Sequence, residues 1–453
     1  MAFSALNLHP HLIRAIGDLG FARPTGIQGE AIPPAMAGRD ILGCAQTGSG
    51  KTASFLLPIV HKLIDQPRGT TRALVLVPTR ELAAQVLEDF RDLARHTSVR
   101  AASVFGGVSA APQEQAFRNG VDIIIATPGR LLEHLRAPYA KLDKLAFLVL
   151  DEADRMLDMG FLPEIRKILR YLPTSRQTLF FSATMPHEIR QLTGELLNNP
   201  VTIQRERAAT TPTGITQAVY PVAQELKGAL LIELLKRGEI EQALVFTRTK
   251  HRANRLADLL VRAGIRAGKI HGNRSQGQRT LALEEFRSGR CPVLVATDIV
   301  ARGIDVEALQ HVVNFDVPVV AEDYIHRIGR TGRAEATGEA FTLAAPEERS
   351  NLLAIERALG QPIPRVTLPD FDYHARATER LEIPIAERIA EIRRRKAEDR
   401  ARANARRERR EGAMAGAGAG SGSRNAPGAS RRGGPAPRGR NSRPGGAGRF
   451  RDR

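Results

Sequence analysis

Short apolar runs alternate with longer amphipathic segments along two stretches of the chain. In the first stretch the apolar runs are DILGCA (40–45), ALVLVP (73–78), VDIIIAT (121–127), AFLVLD (146–151) and TLFFSAT (178–184). In the second they are QALVFTR (242–248), AGKIHG (267–272), CPVLVATD (291–298), HVVNFDVP (311–318) and EAFTLAA (339–345). Segments with helical periodicity, such as TRELAAQVLEDFRDLARH (79–96), separate them. Continuous Val/Ile/Leu runs between helices are typical of parallel sheets covered on both faces, so we predict an α/β fold with two parallel-sheet domains.

A polar segment, QRERAATTPTG (204–214), divides the two stretches and is predicted to be a short linker. The pattern then gives a first domain over 1–203, a second over 215–370, and an extension over 371–453. That extension begins with a basic, helix-prone piece and ends in a segment rich in Gly, Ala, Pro, Ser and Arg. Such a composition buries too little apolar surface to offset the entropy of ordering, so we expect the tail to be disordered.

The charge of the chain is concentrated in this tail. The net charge is +18 over 453 residues, and the 62 residues from 392 to the end hold 19 Lys and Arg against 5 Asp and Glu, or +14. Clustered arginines release counterions from nucleic acid, so the tail predicts a polyanion partner such as RNA or ribonucleoprotein; a solubilising tail is the alternative.

Composition also excludes several classes of protein. No apolar run approaches the ~18 residues of a membrane span, and the N-terminus lacks the pattern of a signal peptide. Two cysteines, Cys44 and Cys291, far apart in sequence, do not support a disulfide framework. We expect a cytoplasmic protein with no membrane contact and no obligate oligomer.

The segment AQTGSGKT (45–52) lies between a predicted strand and a predicted helix, which is the context of a phosphate-binding loop. Gly48 and Gly50 would let backbone N–H groups approach phosphates. Lys51 would supply a point charge and Thr52 a hydroxyl for Mg²⁺. The strict pattern has Gly where Ala45 stands, and a simple Gly-rich turn is the alternative reading.

Three carboxylates, Asp151, Glu152 and Asp154, follow the apolar run AFLVL within four positions. A phosphate loop requires a Mg²⁺ partner at a neighbouring strand end, and Asp151 occupies such a position. Glu152 is placed to orient or deprotonate an attacking water. A solvated acidic turn or helix N-terminus is the alternative, and it suits Asp154 best.

The segment DEAD (151–154) with AQTGSGKT resembles the DEAD-box family of superfamily 2 RNA helicases, and further motifs of that family stand in order. They are GFARPTGIQ (20–28) with Phe3 upstream, PTRELAAQ (78–85), GG (106–107), TPGR (127–130), SAT (182–184), LVFTRTK (244–250), QGQR (276–279), VATDIVARGID (295–305) and HRIGRTGR (326–333). Ala45 is the family's usual residue at its position, whereas Gly26 replaces a common Pro. The compact core and Arg/Gly-rich tail are most similar to the bacterial RhlE-type helicases. The resemblance implies two tandem RecA-like domains.

The resemblance also implies an ATP site divided between the domains, with ATP and Mg²⁺ as cofactors. Gln28 would read the adenine edge, with Phe21 or Phe3 packing nearby, and Asp305 would lie near the ribose. Arg330 and Arg333 would act as arginine fingers, whereas a solvated surface position is expected more for Arg327. Lys51, Asp151 and Glu152 complete the implied catalytic set. Ser182, Thr184 and His326 would couple the domains. The implied phosphate-loop contacts are Thr47, Gly48, Ser49, Gly50, Lys51 and Thr52.

RNA contacts implied by the resemblance are to sugar and phosphate, with little sequence specificity in the core. The candidates are hydroxyls, guanidiniums and glycines: Thr79, Arg80, Gly107, Thr127 and Arg130 in the first domain, and Arg248, Thr297 and Gly303 in the second. The implied activity is RNA-stimulated ATP hydrolysis that separates short duplexes locally and remodels RNA or RNA–protein complexes, in processes such as ribosome assembly.

Three other functions remain open at this stage. A DNA-directed translocase would respond to DNA rather than RNA. An RNA chaperone that anneals strands mainly through its basic tail would lose activity on truncation after Ile392. A nucleotide-gated RNA clamp would keep Glu152, Arg330 and Arg333 but turn over slowly. The natural RNA target and the protein partners are not specified by the sequence.

Overall fold

The structure, a computed structural model, describes residues 2–45, 49–204, 214–298, 309–331 and 337–375. Five of the site residues predicted from the sequence (Thr47, Gly48, Gly303, Asp305 and Arg333), most of the predicted linker, and the tail therefore lie outside the described residues. No helix of the described part of the chain has the length and apolarity to cross a bilayer.

Thirteen strands are described, and they form two sheets. The first sheet contains β1 (Ile41–Cys44), β2 (Ala73–Leu76), β3 (Ala101–Val104), β4 (Ile123–Ala126), β5 (Phe147–Leu150), β6 (Gln177–Ser182) and β7 (Val201–Gln204). The second contains β8 (Ile215–Pro221), β9 (Ala243–Thr247), β10 (Ala267–Ile270), β11 (Val293–Thr297), β12 (His311–Asn314) and β13 (Gly338–Ala344).

All described strand pairs are parallel, and the strand order crosses over in both sheets. The orders are β3-β4-β2-β5-β6-β1-β7 and β10-β11-β9-β12-β13-β8. In each sheet the carboxyl ends of the strands therefore meet along one edge, where ligands of open α/β sheets bind. The prediction of an α/β fold with two parallel sheets is confirmed.

Helices connect the strands. In chain order the described α-helices are α1 (Pro10–Asp18), α2 (Gly26–Met36), α3 (Lys51–Leu63), α4 (Arg80–Leu93), α5 (Ala111–Arg118), α6 (Pro128–Leu135), α7 (Ala153–Asp158), α8 (Leu162–Leu169), α9 (His187–Leu196), α10 (Lys227–Lys236), α11 (Lys250–Arg262), α12 (Gln276–Arg287), α13 (Ala321–Ile328) and α14 (Arg349–Leu359). Short 3₁₀ helices cover Phe3–Leu6 and Pro346–Glu348.

Each sheet is buried on both faces, which explains why the strands are continuously apolar. In β4, Ile123 and Ile125 pack into one core cluster while Ile124 packs into another on the opposite face. In β9, Val245 packs into one core cluster and Leu244 packs into another on the opposite face. Alternate side chains of a strand point to opposite faces of the sheet. When both faces are covered, every position of the strand is buried, and the sequence is continuously apolar. These rigid sheets hold the loops at their carboxyl edges.

Candidate functional site

The phosphate loop connects β1 to α3 at the carboxyl edge of the first sheet. Lys51 is the first residue of α3 and is 5% exposed, and its Nζ donates to the carbonyl of Ala45 at 3.1 Å. The same Nζ lies 3.9 Å from Oδ1 of Asp151. The loop and the acidic cluster, predicted to be neighbours from strand ends alone, are thus joined through Lys51.

Gly50 is required by the close packing of this loop. Its φ of +90° is left-handed, and a Cβ there would lie 2.5 Å from Nε2 of Gln28. Nε2 donates to the carbonyl of Gly50 at 3.2 Å, and Oε1 accepts from the backbone N–H of Thr25 at 2.9 Å. The Thr25 hydroxyl in turn donates to the carbonyl of Ser49 at 2.7 Å. Gln28, 5% exposed, therefore connects the start of α2 to the phosphate loop.

The two candidate aromatics differ in burial. Phe3 is 4% exposed and belongs to the core cluster on one face of the first sheet, with Leu6 and Leu12. Phe21 is 46% exposed. Of the two, Phe21 is exposed, and Phe3 packs in the core.

Asp151 follows β5 directly and is 3% exposed. Its Oδ1 accepts a hydrogen bond from the backbone N–H of Glu152 at 2.9 Å. Burial raises the pKa of Asp151 to about 6, and the nearby Lys51 opposes that shift. Because a buried carboxylate is costly unless a cation is close, this position favours a ligand that brings positive charge.

Glu152 has an unusual backbone conformation and a partner that the sequence did not reveal. Its φ is +53°, in the left-handed region that few residues other than Gly adopt. Its Oε2 accepts from Nη1 of Arg155 at 2.7 Å, and both side chains are 5% exposed. The spacing of three residues at the start of α7 was the only available signal for this pair.

Asp154 binds the SAT segment. Its Oδ2 accepts from the backbone N–H of Thr184 at 2.8 Å and from the Thr184 hydroxyl at 3.0 Å. Its own backbone N–H donates to Oγ of Ser182 at 3.3 Å, and that hydroxyl donates to the Thr184 carbonyl at 2.7 Å. The third carboxylate therefore fixes the loop after β6. It lies in the first turn of α7, as the helix N-terminus alternative has it, but at 5% exposure it is not a solvated acidic turn.

The residues fit a magnesium ion that arrives with phosphates. Thr52 and Asp151 offer oxygen donors only, which Mg²⁺ prefers, and Asp151 is buried with a raised pKa. Within the described part of the chain, no group of three or more His, Cys, Asp or Glu side chains could hold a metal ion.

A second surface of the first domain brings together the predicted RNA-contacting segments. A Cβ at Gly107, whose φ is +84°, would lie 2.0 Å from Nη1 of Arg80, so the guanidinium rests on the glycine backbone. Arg130 donates through Nη2 to the carbonyl of Val108 at 2.9 Å and pairs with Glu133 at 2.6 Å. Three motifs far apart in sequence therefore form one surface.

The predicted hydroxyls on this surface differ from the guanidiniums in exposure. Thr79 is 6% exposed, and its hydroxyl caps α4 by accepting from the backbone N–H of Leu82 at 3.2 Å. Thr127 precedes α6 and is 8% exposed. Both threonines are buried beneath this surface, while Arg80 and Arg130 are partly exposed to solvent.

In the second domain Arg248 lies just after β9, and Thr297 ends β11.

The expectation of a solvated position for Arg327 is wrong. Arg327 is 3% exposed, makes a bidentate ion pair with Asp298 at 2.6 and 2.8 Å, and donates to Oδ1 of Asn314 at 3.0 Å. The three-residue spacing of Arg327, Arg330 and Arg333 indicated an exposed helix face. Asp298, which directly follows β11, instead pairs with Arg327 within the domain. The neighbouring Arg330 is also 3% exposed, and His326 is half-buried on α13.

Glu81 connects a helix that packs on the first sheet to a helix that packs on the second. Oε2 of Glu81 on α4 lies 2.6 Å from Nη2 of Arg279 in an ion pair, and Oε1 of Glu81 accepts from Nε2 of Gln276 at 3.2 Å; both partners are on α12. The Glu81 and Arg279 side chains are 6% and 8% exposed. Burial lowers the pKa of Arg279, and Glu81 opposes the shift. Helix α4, which follows β2 of the first sheet, is thus linked to the QGQR segment on α12.

Two family models match the chain. A DEAD/DEAH box helicase model covers residues 25–192, and a helicase conserved C-terminal domain model covers residues 226–335. The chain is 43% identical over 387 residues to an RNA helicase, CrhR, of Synechocystis, covering 85% of this chain and 78% of that protein. It is 42% identical over 371 residues to the ATP-dependent RNA helicase DeaD of Escherichia coli, covering 82% of this chain and 59% of that protein.

Solved structures agree with this match. Dbp5 of Saccharomyces cerevisiae, bound to RNA and ADP BeF3, superposes with a TM-score of 0.74 at 31% identity over 82% of this chain and 96% of that chain. Mss116, bound to ssRNA and UDP-BeF, superposes with a TM-score of 0.74 at 25% identity, covering 82% and 81% of the two chains. The two parallel-sheet domains are therefore RecA-like domains of the kind seen in these helicases.

Proposed function

Because this chain belongs to the DEAD-box family of ATP-dependent RNA helicases, we propose that its two domains share one ATP site and one RNA surface. ATP hydrolysis at that site separates short RNA duplexes locally and remodels RNA or RNA–protein complexes. The observation that carries the proposal is the buried group formed by Lys51, Asp151 and Glu152 at the carboxyl edge of the first sheet.

In this proposal Lys51 exchanges its bond with the Ala45 carbonyl for the β- and γ-phosphates of ATP. Gln28 contacts adenine, and Phe21 packs beside it. Thr52 and Asp151 hold Mg²⁺, which neutralises phosphate charge when bound. Gln28 already contacts the phosphate loop through Gly50, so adenine binding and loop geometry are coupled through one side chain.

Glu152 orients the attacking water and accepts its proton. The ion pair with Arg155 supports this role, because it holds one of the two carboxylate oxygens. Arg330 and Arg333, with Asp305 near the ribose, complete the site from the second domain. Hydrolysis then requires the two domains to come together around ATP.

RNA lies across both domains on Arg80, Gly107 and Arg130 in the first and Arg248, Thr297 and Gly303 in the second, with Thr79 and Thr127 beneath. These contacts are to sugar and phosphate. The ion pair between Glu81 and Arg279 supports coupling, because it connects RNA motifs of both domains. Ser182, Thr184 and His326 transmit the state of the ATP site, and linkage makes ATP and RNA favour each other's binding.

The basic tail adds a general, salt-sensitive attraction to RNA or ribonucleoprotein, since it carries +14 in 62 residues. We propose cytoplasmic action, without an obligate oligomer, in a process such as ribosome assembly, and membership of the RhlE-type subgroup. Domain limits of 1–203 and 215–370, joined by the 204–214 linker, are part of this proposal.

The decisive experiment measures unwinding of a short RNA duplex by the full chain with and without ATP. ATP-dependent strand separation, together with hydrolysis stimulated by RNA and not by DNA, is the expected result. Stimulation by DNA alone would favour a DNA translocase. Strand annealing that needs no ATP, and that disappears on truncation after Ile392, would favour the tail-driven chaperone.

A further inference from the structure

A carboxylate outside every motif described above lies beside an RNA-contacting arginine. Glu348 ends a 3₁₀ turn between β13 and α14, thirteen residues beyond the end of the matched C-terminal family model at residue 335. It is 5% exposed. Its oxygens accept from four donors: the backbone N–H groups of Ala345 and Val317, both at 3.1 Å, Nη2 of Arg248 at 3.1 Å, and Nζ of Lys227.

Lys227 provides the buried counter-charge of this carboxylate. It is fully buried at the start of α10, and its Nζ also donates to the Phe315 carbonyl at 2.9 Å. Burial lowers the pKa of Lys227, and Glu348 opposes that shift. The ion pair therefore anchors Glu348 to the segment after β12, independently of Arg248.

Arg248 is fixed at both its backbone and its side chain. Its backbone N–H donates to Oδ2 of Asp316 at 2.7 Å, and Asp316 pairs with Arg252 at 2.9 Å. Its Nη2 donates to Oε1 of Glu348 and to the Val317 carbonyl at 3.3 Å. Both of these side-chain hydrogen bonds use Nη2, and the side chain is 44% exposed.

We propose that Glu348 is a positioning residue for RNA binding, which holds the Arg248 guanidinium by one edge and presents the other edge to a backbone phosphate. The inference rests on the proposed function, since it takes Arg248 as an RNA contact. It adds a residue beyond the helicase motifs to the RNA-binding machinery of the second domain.

The physical reason is preorganisation. An unrestrained arginine loses rotamer freedom when it binds a phosphate, and a guanidinium already fixed at Nη2 loses less. Glu348 can hold Arg248 without neutralising it fully, because the carboxylate also accepts from two backbone N–H groups, which remain when Lys227 is replaced. The guanidinium therefore keeps attraction for a phosphate while its direction is set.

The test is a double-mutant cycle on affinity for single-stranded RNA, using the full chain with Glu348→Ala, Arg248→Ala and both changes together. We expect each single variant to raise the Kd for RNA about five- to tenfold, and the double variant to be no weaker than Arg248→Ala. The plot of log affinity against log salt concentration should also become less steep by about 0.7 in each variant, as expected for the loss of one phosphate contact on a single strand.

Lys227→Met is the matched control, because it breaks the same buried ion pair and leaves Glu348 to hold Arg248. We expect it to lower the Tm at least as much as Glu348→Ala while RNA affinity and salt slope stay near those of the unmodified chain. If the alanine variant does not fold, Glu348→Gln replaces it in the cycle, with a smaller effect in the same direction.

Three results would overturn the inference. Equal loss of RNA affinity in Lys227→Met would assign the effect to domain stability, and additive losses in the double variant would separate Glu348 from Arg248. If Glu348→Ala kept its RNA affinity while Arg248→Ala lost affinity, Glu348 would have no role in RNA binding, and the RNA contact of Arg248 would stand. Unchanged RNA affinity in Arg248→Ala would instead contradict the RNA contact assigned under the proposed function.

Discussion

Two buried carboxylates, Asp151 in the first domain and Glu348 in the second, have almost equal exposure, 3% and 5%, but opposite surroundings. Glu348 accepts hydrogen bonds from two backbone N–H groups, a lysine and an arginine. Among the described residues, Asp151 accepts one backbone hydrogen bond and has Lys51 at 3.9 Å. Glu348 is therefore stabilised within its domain, whereas Asp151 has fewer partners and, in the proposed function, gains the positive charge of Mg²⁺.

This difference separates positioning from chemistry. In the second domain, the buried Glu348 and the half-buried Asp298 hold arginines in defined orientations. In the first domain, Asp151 and Lys51 lie 3.9 Å apart at the proposed phosphate site. A change that breaks a positioning pair should reduce binding or rate moderately, and a change at the incomplete site should remove turnover.

The largest expected effect is at Glu152. Glu152→Gln should lower kcat for RNA-stimulated ATP hydrolysis by about 10²–10⁴, because the amide cannot accept a proton from water. ATP affinity should stay within about threefold. Steady-state kinetics with a nucleotide-binding titration measures both. Glu195→Gln, at an exposed carboxylate paired with Arg166, is the control expected to keep normal turnover. A Glu152→Gln enzyme with the original kcat would refute the assigned base.

A smaller loss is expected at Arg155. Arg155→Met should lower kcat about tenfold with little change in KM for ATP, since Glu152 would lose the partner that fixes its carboxylate at 2.7 Å. Arg155→Lys should recover part of the rate, because an ammonium can keep the ion pair. If Met and Lys variants show the same rate, the pair contributes to folding only, and thermal unfolding of both variants would show it.

The inter-domain pair should affect coupling rather than either site alone. Glu81→Gln should reduce, by about threefold, the gain in RNA affinity that a non-hydrolysable ATP analogue produces, because it weakens the bond to Arg279 across the domains. Binding titrations with and without the analogue measure this gain. Arg279→Met should have a similar effect, and combining the two should add little. Independent, additive losses would count against a direct link.

The smallest effect is on the pH dependence of stability. Burial lowers the pKa of His271 to about 4, and Arg274 and Lys269 reinforce the shift. Between pH 6.5 and 4 the unfolded chain binds a proton that the folded protein does not, so stability falls as pH falls through that window. The Tm of the unmodified protein should therefore drop more from pH 7 to pH 5 than that of His271→Gln.

The exposed His11 provides the comparison for this measurement, since His11→Gln should keep the pH dependence of the unmodified chain. The His271 ring accepts from the backbone N–H of Asn273 and lies 3.0 Å from Oδ1 of Asn254, a pairing that suits the neutral ring. Equal pH dependence in both histidine variants would show that another group controls acid stability.

The apolar pattern predicted every strand that is buried between neighbours, such as β4 and β9, and missed three edge strands. β3, β7 and β8 lie at the margins of their sheets. β3 and β7 have partly exposed positions, and Gln204 of β7 was placed in the linker. An edge strand is paired on one side only, so its sequence need not be continuously apolar, and it gives a weak signal.

Site residues followed a similar division. Lys51 and Asp151 could be predicted to meet, because parallel strands place their following loops on one edge. The partners of Glu81 and Arg248, 198 and 100 residues away, have no local signal. Arg327 shows the reverse case, in which a local periodicity indicated solvent and a distant aspartate buried the side chain.

The left-handed backbone at Glu152 has a cost for evolution and engineering. A non-glycine residue with φ of +53° gives up about 1 kcal/mol of folding free energy. Glu152→Gly would regain part of that energy and lose the carboxylate. A selection for thermal stability alone would therefore drift toward inactive variants at this position, and only a selection that also demands turnover would retain glutamate.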